Sequence, residues 1–139
     1  MSVYPTRVSM LILMQPDLEK AVAFYQNMGL PLIFHIKGKW AEFQLGDTKI
    51  GLAPIGQELP LHRTGIVLEV KDLQATYEHL KSEGVQFVRE PVEALHGLMA
   101  SFRDPGNAVI DLYQPTPEKV AEFMRQQKEQ EEAKAKAEA

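Results

Sequence analysis

The stretch Leu13-Met14-Gln15-Pro16-Asp17-Leu18-Glu19-Lys20-Ala21-Val22-Ala23-Phe24-Tyr25, closed by Met28-Gly29-Leu30, decides the fold. It starts inside the apolar run Val8 to Met14, which suits a strand covered on both faces. Pro16-Asp17 breaks the run, and Asp17 offers a side-chain oxygen to the free amides of a helix's first turn. Leu18, Ala21, Val22 and Tyr25 then recur at helical spacing, and Gly29 supplies the stop. Three strands are expected next, at Leu32 to Ile36, Trp40 to Leu45 and Lys49 to Pro54, with hairpin turns at Gly38 and Gly46-Asp47.

After a Pro60-containing linker from Gly56 to Leu61, the same order restarts. Thr64 to Val70 reads as a strand. Asp72 caps a helix to Ser82 with Leu73, Tyr77 and Leu80 on one face, and Gly84 stops it. Strands follow at Val85 to Arg89, Leu98 to Arg103 and Ala108 to Gln114, the last two joined by the turn Asp104-Pro105-Gly106-Asn107. Asp17-Leu18 and Asp72-Leu73 lie 55 residues apart, as do Gly29 and Gly84. Phe43 and Phe102 lie 59 apart, and Ile50-Gly51-Leu52 and Ile110-Asp111-Leu112 lie 60 apart. Four coincidences in register, in the same element order, indicate a duplication.

One βαβββ module has a single helix over four strands, so its other sheet face stays open. The expected fold is therefore α+β: two βαβββ modules, residues 6–55 and 62–115, forming a curved mixed sheet around a central trough. Together they make one domain over 1–115, followed by a charged C-terminal helix or tail over 116–139. Alternation along the first strand turns Leu11 and Leu13 to the helix, and Met10, Ile12 and Met14 to the trough. In the tail, Thr116 and Pro117 open a helix whose Val120, Phe123 and Met124 form an apolar stripe for docking. From Gln126 onward only Gln, Lys, Glu and Ala remain, which reads as a solvated, fraying end or a partner-binding helix.

The bulk numbers fit one globular domain: 139 residues, 45% apolar and 24% charged. A net charge of -4 without a basic stripe argues against a nucleic-acid partner. The absence of cysteine excludes disulfides, thiolate metal sites and a Cys nucleophile, and suits a reducing cytoplasm. No apolar run approaches bilayer length, so no membrane partner is expected. Gln15-Pro16-Asp17 follows the first apolar run without a small-residue cleavage pattern, so no signal peptide is expected and the location is cytoplasmic.

The opening stretch, together with Phe102-Arg103-Asp104-Pro105-Gly106-Asn107 leading to Val109-Ile110-Asp111-Leu112, resembles the vicinal oxygen chelate superfamily. That superfamily includes glyoxalase I, extradiol dioxygenases and bleomycin-resistance proteins. The resemblance covers Val8 to Gln114, with one residue fewer than usual between the Pro and Gly of the turn. Metal-using members take one ligand from each of four strands, and by register the resemblance puts those positions on Met10, Gly51, Gly65 and Asp111. Glycine has no side chain and a thioether suits soft metals, so only Asp111 qualifies. One carboxylate cannot hold a catalytic divalent ion, so neither a metal nor another cofactor is expected.

The imidazoles are His35, His62, His79 and His96. His79, on a helix beside Glu78, reads as solvated, His35 lies mid-strand, and His62 precedes a strand. His96 sits in the loop Glu93 to Gly97, where it would pair with Asp111 as acid and base or remain a loop histidine with no partner. Trp40 and Tyr113 offer stacking surface with a polar edge, although Trp40 reads equally as a core aromatic. Glu69 follows Gly65 by four residues on the same face, and Glu42 reads as an exposed strand residue. The expected ligand-binding set is Met10, Met14, Trp40, Glu69, His96, Asp111 and Tyr113. The resemblance implies a metal-independent small-molecule-binding protein, in the manner of drug-sequestering members that bind cationic or aromatic molecules, usually as homodimers. The alternatives are a glyoxalase-like lyase or isomerase using Asp111 with His96 or an atypical metal, and a module acting through its C-terminal helix.

Overall fold

The computed structural model describes residues 2–138. The chain runs β1 (Met10–Gln15), α1 (Leu18–Asn27), β2 (Leu32–Ile36), β3 (Trp40–Leu45), β4 (Thr48–Pro54), β5 (His62–Glu69), α2 (Leu73–Ser82), β6 (Gln86–Glu93), β7 (Gly97–Arg103), β8 (Ala108–Pro115) and α3 (Pro117–Glu138). The strands form two four-stranded sheets, ordered β1-β4-β3-β2 and β5-β8-β7-β6. The order is the same in each half, so the fold is two βαβββ modules with a terminal helix, one sheet to each module. The first sheet is mixed: β1 pairs parallel to β4, and β4, β3 and β2 pair antiparallel.

The duplication extends to backbone detail. Asp17 (φ -129, ψ 100) accepts from Lys20 N at 3.1 Å, and Asp72 (φ -137, ψ 98) accepts from Ala75 N at 3.0 Å. Each caps a ten-residue helix through one otherwise orphaned amide. At the far ends Gly29 (φ 96) and Gly84 (φ 93) adopt the left-handed conformation that glycine takes without strain. The chain then turns back through Leu30 N to Tyr25 O at 3.1 Å, and Val85 N to Leu80 O at 3.0 Å.

Two compact units cut across the modules. The first runs through Thr64 and also takes in Arg103–Val109; the second holds Gly65–Phe102 and the chain from Ile110 onward. In the first, Leu13, Leu18, Ala21, Val22 and Tyr25 are buried together with Ala41, Phe43, Ile50 and Leu52. The β7–β8 turn belongs to this unit because of Asp104. Its Oδ1 accepts from the Gly106 and Ala108 amides at 2.8 and 2.9 Å, and its Oδ2 accepts from Gln15 Nε2 and the Tyr25 hydroxyl, both at 2.7 Å. Four donors offset the cost of burying the carboxylate. Burial, and then the Asp104 carboxylate, push the Tyr25 hydroxyl well above its ordinary pKa. Gly106 is required here, since a Cβ would lie 2.6 Å from Gln15 Oε1 and 2.9 Å from the Met14 carbonyl oxygen. What reads in the sequence as an ordinary turn is thus a link to β1 and α1.

In the second unit Leu73, Tyr77 and Leu80 of α2 are buried, as are Ala100, Phe102, Ile110 and Leu112. Phe87 joins the Tyr77 and Phe102 rings at centroid distances of 4.7 and 6.2 Å. Helix α3 docks through its first turns: Phe123 packs edge-on to His96 at 5.9 Å, and Lys119 Nζ lies 3.5 Å from Glu93. Val120 and Phe123 are half-buried, but Met124 is 61% exposed and drops out of the expected stripe. Successive helical residues are rotated by about 100°, so a helix seated on residues 119, 120 and 123 turns 124 outward. Beyond Gln126 the helix continues to Glu138, supported early on by Arg125 bridging Glu122 and Glu129.

Candidate functional site

Directly paired residues share a sheet face, and register fixes the face of the first sheet opposite α1. Ile12 and Glu42 both pair with Gly51, Phe34 pairs with Glu42, and Ile36 pairs with Trp40. The face is apolar and open: Ile12 is 53%, Phe34 43% and Ile36 50% exposed, and Met14 stands on the same side. Leu13, Ile50 and Leu52 point the other way into the core, as alternation demands.

Trp40 lies across this face. Its Nε1 donates to Glu42 Oε1 at 3.1 Å, and its six-membered ring reaches Gly51. A Cβ at Gly51 would come within 2.5 Å of Trp40 Cη2 and 3.0 Å of Met10 Sδ. Trp40 is therefore not a strand-end core residue. Nor is Glu42 the exposed strand residue expected: its side chain is 13% exposed, shielded by Trp40, with Lys49 Nζ at 3.9 Å. The i, i+2 spacing of Trp40 and Glu42 was the available signal, because it puts both on one face of a strand.

On the second sheet, Asp111 and Tyr113 face away from buried Ile110 and Leu112. Asp111 Oδ1 accepts a 2.6 Å hydrogen bond from Ser101, a buried residue of β7 that the sequence reading missed. The Tyr113 hydroxyl lies 3.1 Å from His96 Nδ1 and 3.2 Å from the His96 carbonyl oxygen, which also accepts from Thr116 N at 3.0 Å. His96 is thus bound into an aromatic cluster with Tyr113 and Phe123 at the root of α3. It neither pairs with Asp111 nor stands alone in its loop. Gly97 allows the close packing, since a Cβ there would overlap the Gln114 carbonyl oxygen and lie 2.7 Å from the Tyr113 ring. Glu69 is exposed at the end of β5, four residues past Gly65, which has φ 76.

The remaining histidines serve local structure. His35 turns toward α1, where Glu19 takes its Nε2 at 2.6 Å and the Gly38 amide at 2.8 Å. His62 Nδ1 meets the Pro60 carbonyl at 2.8 Å, and solvated His79 lies 3.7 Å from Glu83. Among the described residues, no three His, Asp or Glu side chains gather to hold a metal ion. The positions implied for metal ligands do not fit a divalent ion. In the first module Trp40 fills the space above Gly51 beside the Met10 thioether. In the second, Gly65 has no side chain and one oxygen of Asp111 is engaged by Ser101.

The model of the Glyoxalase/Bleomycin resistance protein/Dioxygenase superfamily matches residues 7–112. The chain belongs to that superfamily. It is 30% identical to human mitochondrial methylmalonyl-CoA epimerase, over 78% of this chain and 73% of that protein. Among solved structures it resembles TnmS3, an antibiotic-binding protein from Streptomyces sp. CB03234, at 28% identity and a TM-score of 0.67, over 83% of this chain and 100% of that one. It also resembles a variant of the fosfomycin resistance protein FosX from Listeria monocytogenes, complexed with Mn(II) and 1S,2S-dihydroxypropylphosphonic acid, with a TM-score of 0.71. That pair shares 20% identity over 84% of this chain and 97% of that one, so the likeness is one of fold. The proteins it resembles thus include both an epimerase and an antibiotic-binding protein, and only the residues of this chain discriminate between such roles.

Proposed function

We propose that this protein binds a small organic molecule without a catalytic divalent metal, as a homodimer in the cytoplasm, and sequesters it rather than transforming it. The observation that carries the reading is the uncovered apolar face of the first sheet, where Ile12, Phe34 and Ile36 stand in the open around Trp40. Apolar surface with a few fixed polar groups is the usual make-up of a ligand site. A polar group is already oriented on each sheet, Glu42 by Trp40 on the first and Asp111 by Ser101 on the second. The similarity to an antibiotic-binding protein supports the same reading. Met10, Met14 and Trp40 on the first sheet, and Glu69, His96, Asp111 and Tyr113 of the second module, remain the residues proposed for ligand binding.

The epimerase relative favours a second reading, a lyase or isomerase using Asp111 with His96 or an atypical metal. Elemental analysis of the purified protein, with Mn(II), Ni(II) and Zn(II) titrations, separates the two. The binding reading expects no stoichiometric metal and no saturable uptake, with Asp111→Asn altering ligand affinity alone. About one metal per chain, lost in Asp111→Asn, would overturn the metal-independent reading and favour the enzyme.

A further inference from the structure

The open face of the first sheet changes character along its strands, because register sets its side chains in three rows. In the row nearest the β3–β4 turn, Lys49 pairs with both Met10 and Gln44. In the middle row Ile12 and Glu42 pair with Gly51, and Phe34 pairs with Glu42. In the far row Met14 pairs with Ala53, and Ile36 with Trp40. The middle and far rows are apolar except for Glu42, and Glu42 is shielded. Its side chain is 13% exposed, and its Oε1 is taken by Trp40 Nε1 at 3.1 Å. Lys49 is the reverse. Its side chain is 45% exposed, and its Nζ stands 3.9 Å from Glu42 Oε2, an ion pair beyond hydrogen-bond reach. The ammonium keeps its protons for another acceptor. Beside it the Gln44 amide nitrogen is turned away to the Gly46 carbonyl oxygen at 2.8 Å. The charge that this face presents to a ligand is therefore positive and lies at one end, although the chain carries a net charge of -4.

We propose that this face takes an amphiphilic anion, with a carboxylate held at Lys49 and an apolar body lying toward Phe34, Ile36 and Met14. The inference rests on the small-molecule reading above and names its ligand class. A cationic ligand has no free carboxylate to meet here, since one oxygen of Glu42 is bound to the indole and the other already faces Lys49. A carboxylate finds an exposed ammonium bordered by apolar surface, where a charge-assisted contact is stronger than on a fully hydrated surface. From the row of Lys49 to the row of Ala53 is four residues, roughly 13 Å, the span of a medium-length alkyl chain. The occupant is a single soluble molecule rather than a membrane, because one lysine matches one singly charged head group, whereas anionic bilayers are held by clusters of basic residues.

The full-length protein is titrated at neutral pH with decanoate, decylammonium and decanol, which share one chain and differ in head group. Binding is followed by equilibrium dialysis and by emission of Trp40, the single tryptophan, which lies on the same face. The assignment expects decanoate to bind more tightly than decylammonium, with a gap that narrows as salt is added. Lys49→Met, which keeps an apolar stem, should weaken decanoate about two- to fivefold, the size of a partly exposed ion pair. Lys49→Arg should preserve the preference for decanoate. Glu42→Gln, which keeps an acceptor for the indole, should widen it. Decylammonium binding as tightly as decanoate, or a decanoate affinity that Lys49→Met leaves unchanged, would overturn the assignment, and decanol binding would then keep the small-molecule reading standing. Capture of the protein by phosphatidylglycerol vesicles without saturable uptake of decanoate would also overturn it. Uptake of none of the three probes would overturn both.

Discussion

The Tyr25 hydroxyl donates a 2.7 Å hydrogen bond to Asp104 Oδ2, joining α1 to the β7–β8 turn across 79 residues of chain. Both residues are buried, and Gln15 Nε2 shares the same carboxylate oxygen at 2.7 Å. Tyr25→Phe removes one donor and should cost about 1–3 kcal/mol, whereas Asp104→Ala, which orphans four donors, should cost more than about 3 kcal/mol. Urea unfolding measures both.

The same bond sets an alkaline limit. The Tyr25 hydroxyl is raised well above the ordinary value of 10.0, chiefly by burial. The unfolded chain therefore releases this proton at lower pH than the folded one. The corresponding stability is complete below pH 10 and falls as pH climbs beyond it. Thermal midpoints measured across that range should drop less steeply in Tyr25→Phe than in the unaltered chain, and parallel curves would refute the assignment.

The two helix caps offer a matched pair. Asp17 and Asp72 have nearly the same dihedrals and make the same bond to the third helical amide. Asp17→Ala and Asp72→Ala should each cost about 1 kcal/mol. Having no shared partner, the two losses should add in the double variant. A markedly unequal pair would mean that one cap does something besides capping.

Two glycines that look alike in sequence should respond differently. A Cβ at Gly97 meets the Gln114 carbonyl, which is backbone and cannot step aside, so Gly97→Ala should cost about 2–4 kcal/mol and loosen Tyr113. A Cβ at Gly51 meets the Trp40 side chain, which can swing outward, so Gly51→Ala should cost less than about 1.5 kcal/mol while shifting Trp40 emission. Denaturation and fluorescence on the two variants give the comparison.

Helix α3 should behave as two segments. Lys119, Val120 and Phe123 are anchored or half-buried, while residues 127–138 are exposed. Amide exchange should be slower over 117–124 than over 127–138, and Phe123→Ala should erase the difference. Truncation after Gln126 should leave the unfolding free energy within about 0.5 kcal/mol of the full chain.

The sequence by itself determined the element order, the duplication, both caps and both glycine stops, and most of the strand faces. These are local properties: a helix stripe, a strand alternation or a cap is written within a few residues, and the 55-residue offset repeats that writing. Tertiary structure alone decided which polar groups meet. Ser101 reaches Asp111, Tyr113 takes His96, and Asp104 leaves its own turn to meet Gln15 and Tyr25. Trp40 settles over Gly51 rather than into the core. Each of these depends on register between strands or on a turn packing against a distant element. Pairing a strand one residue out of step exchanges its two faces without altering a single local signal, so burial of the assembled chain, and not the pattern along it, selects the partners.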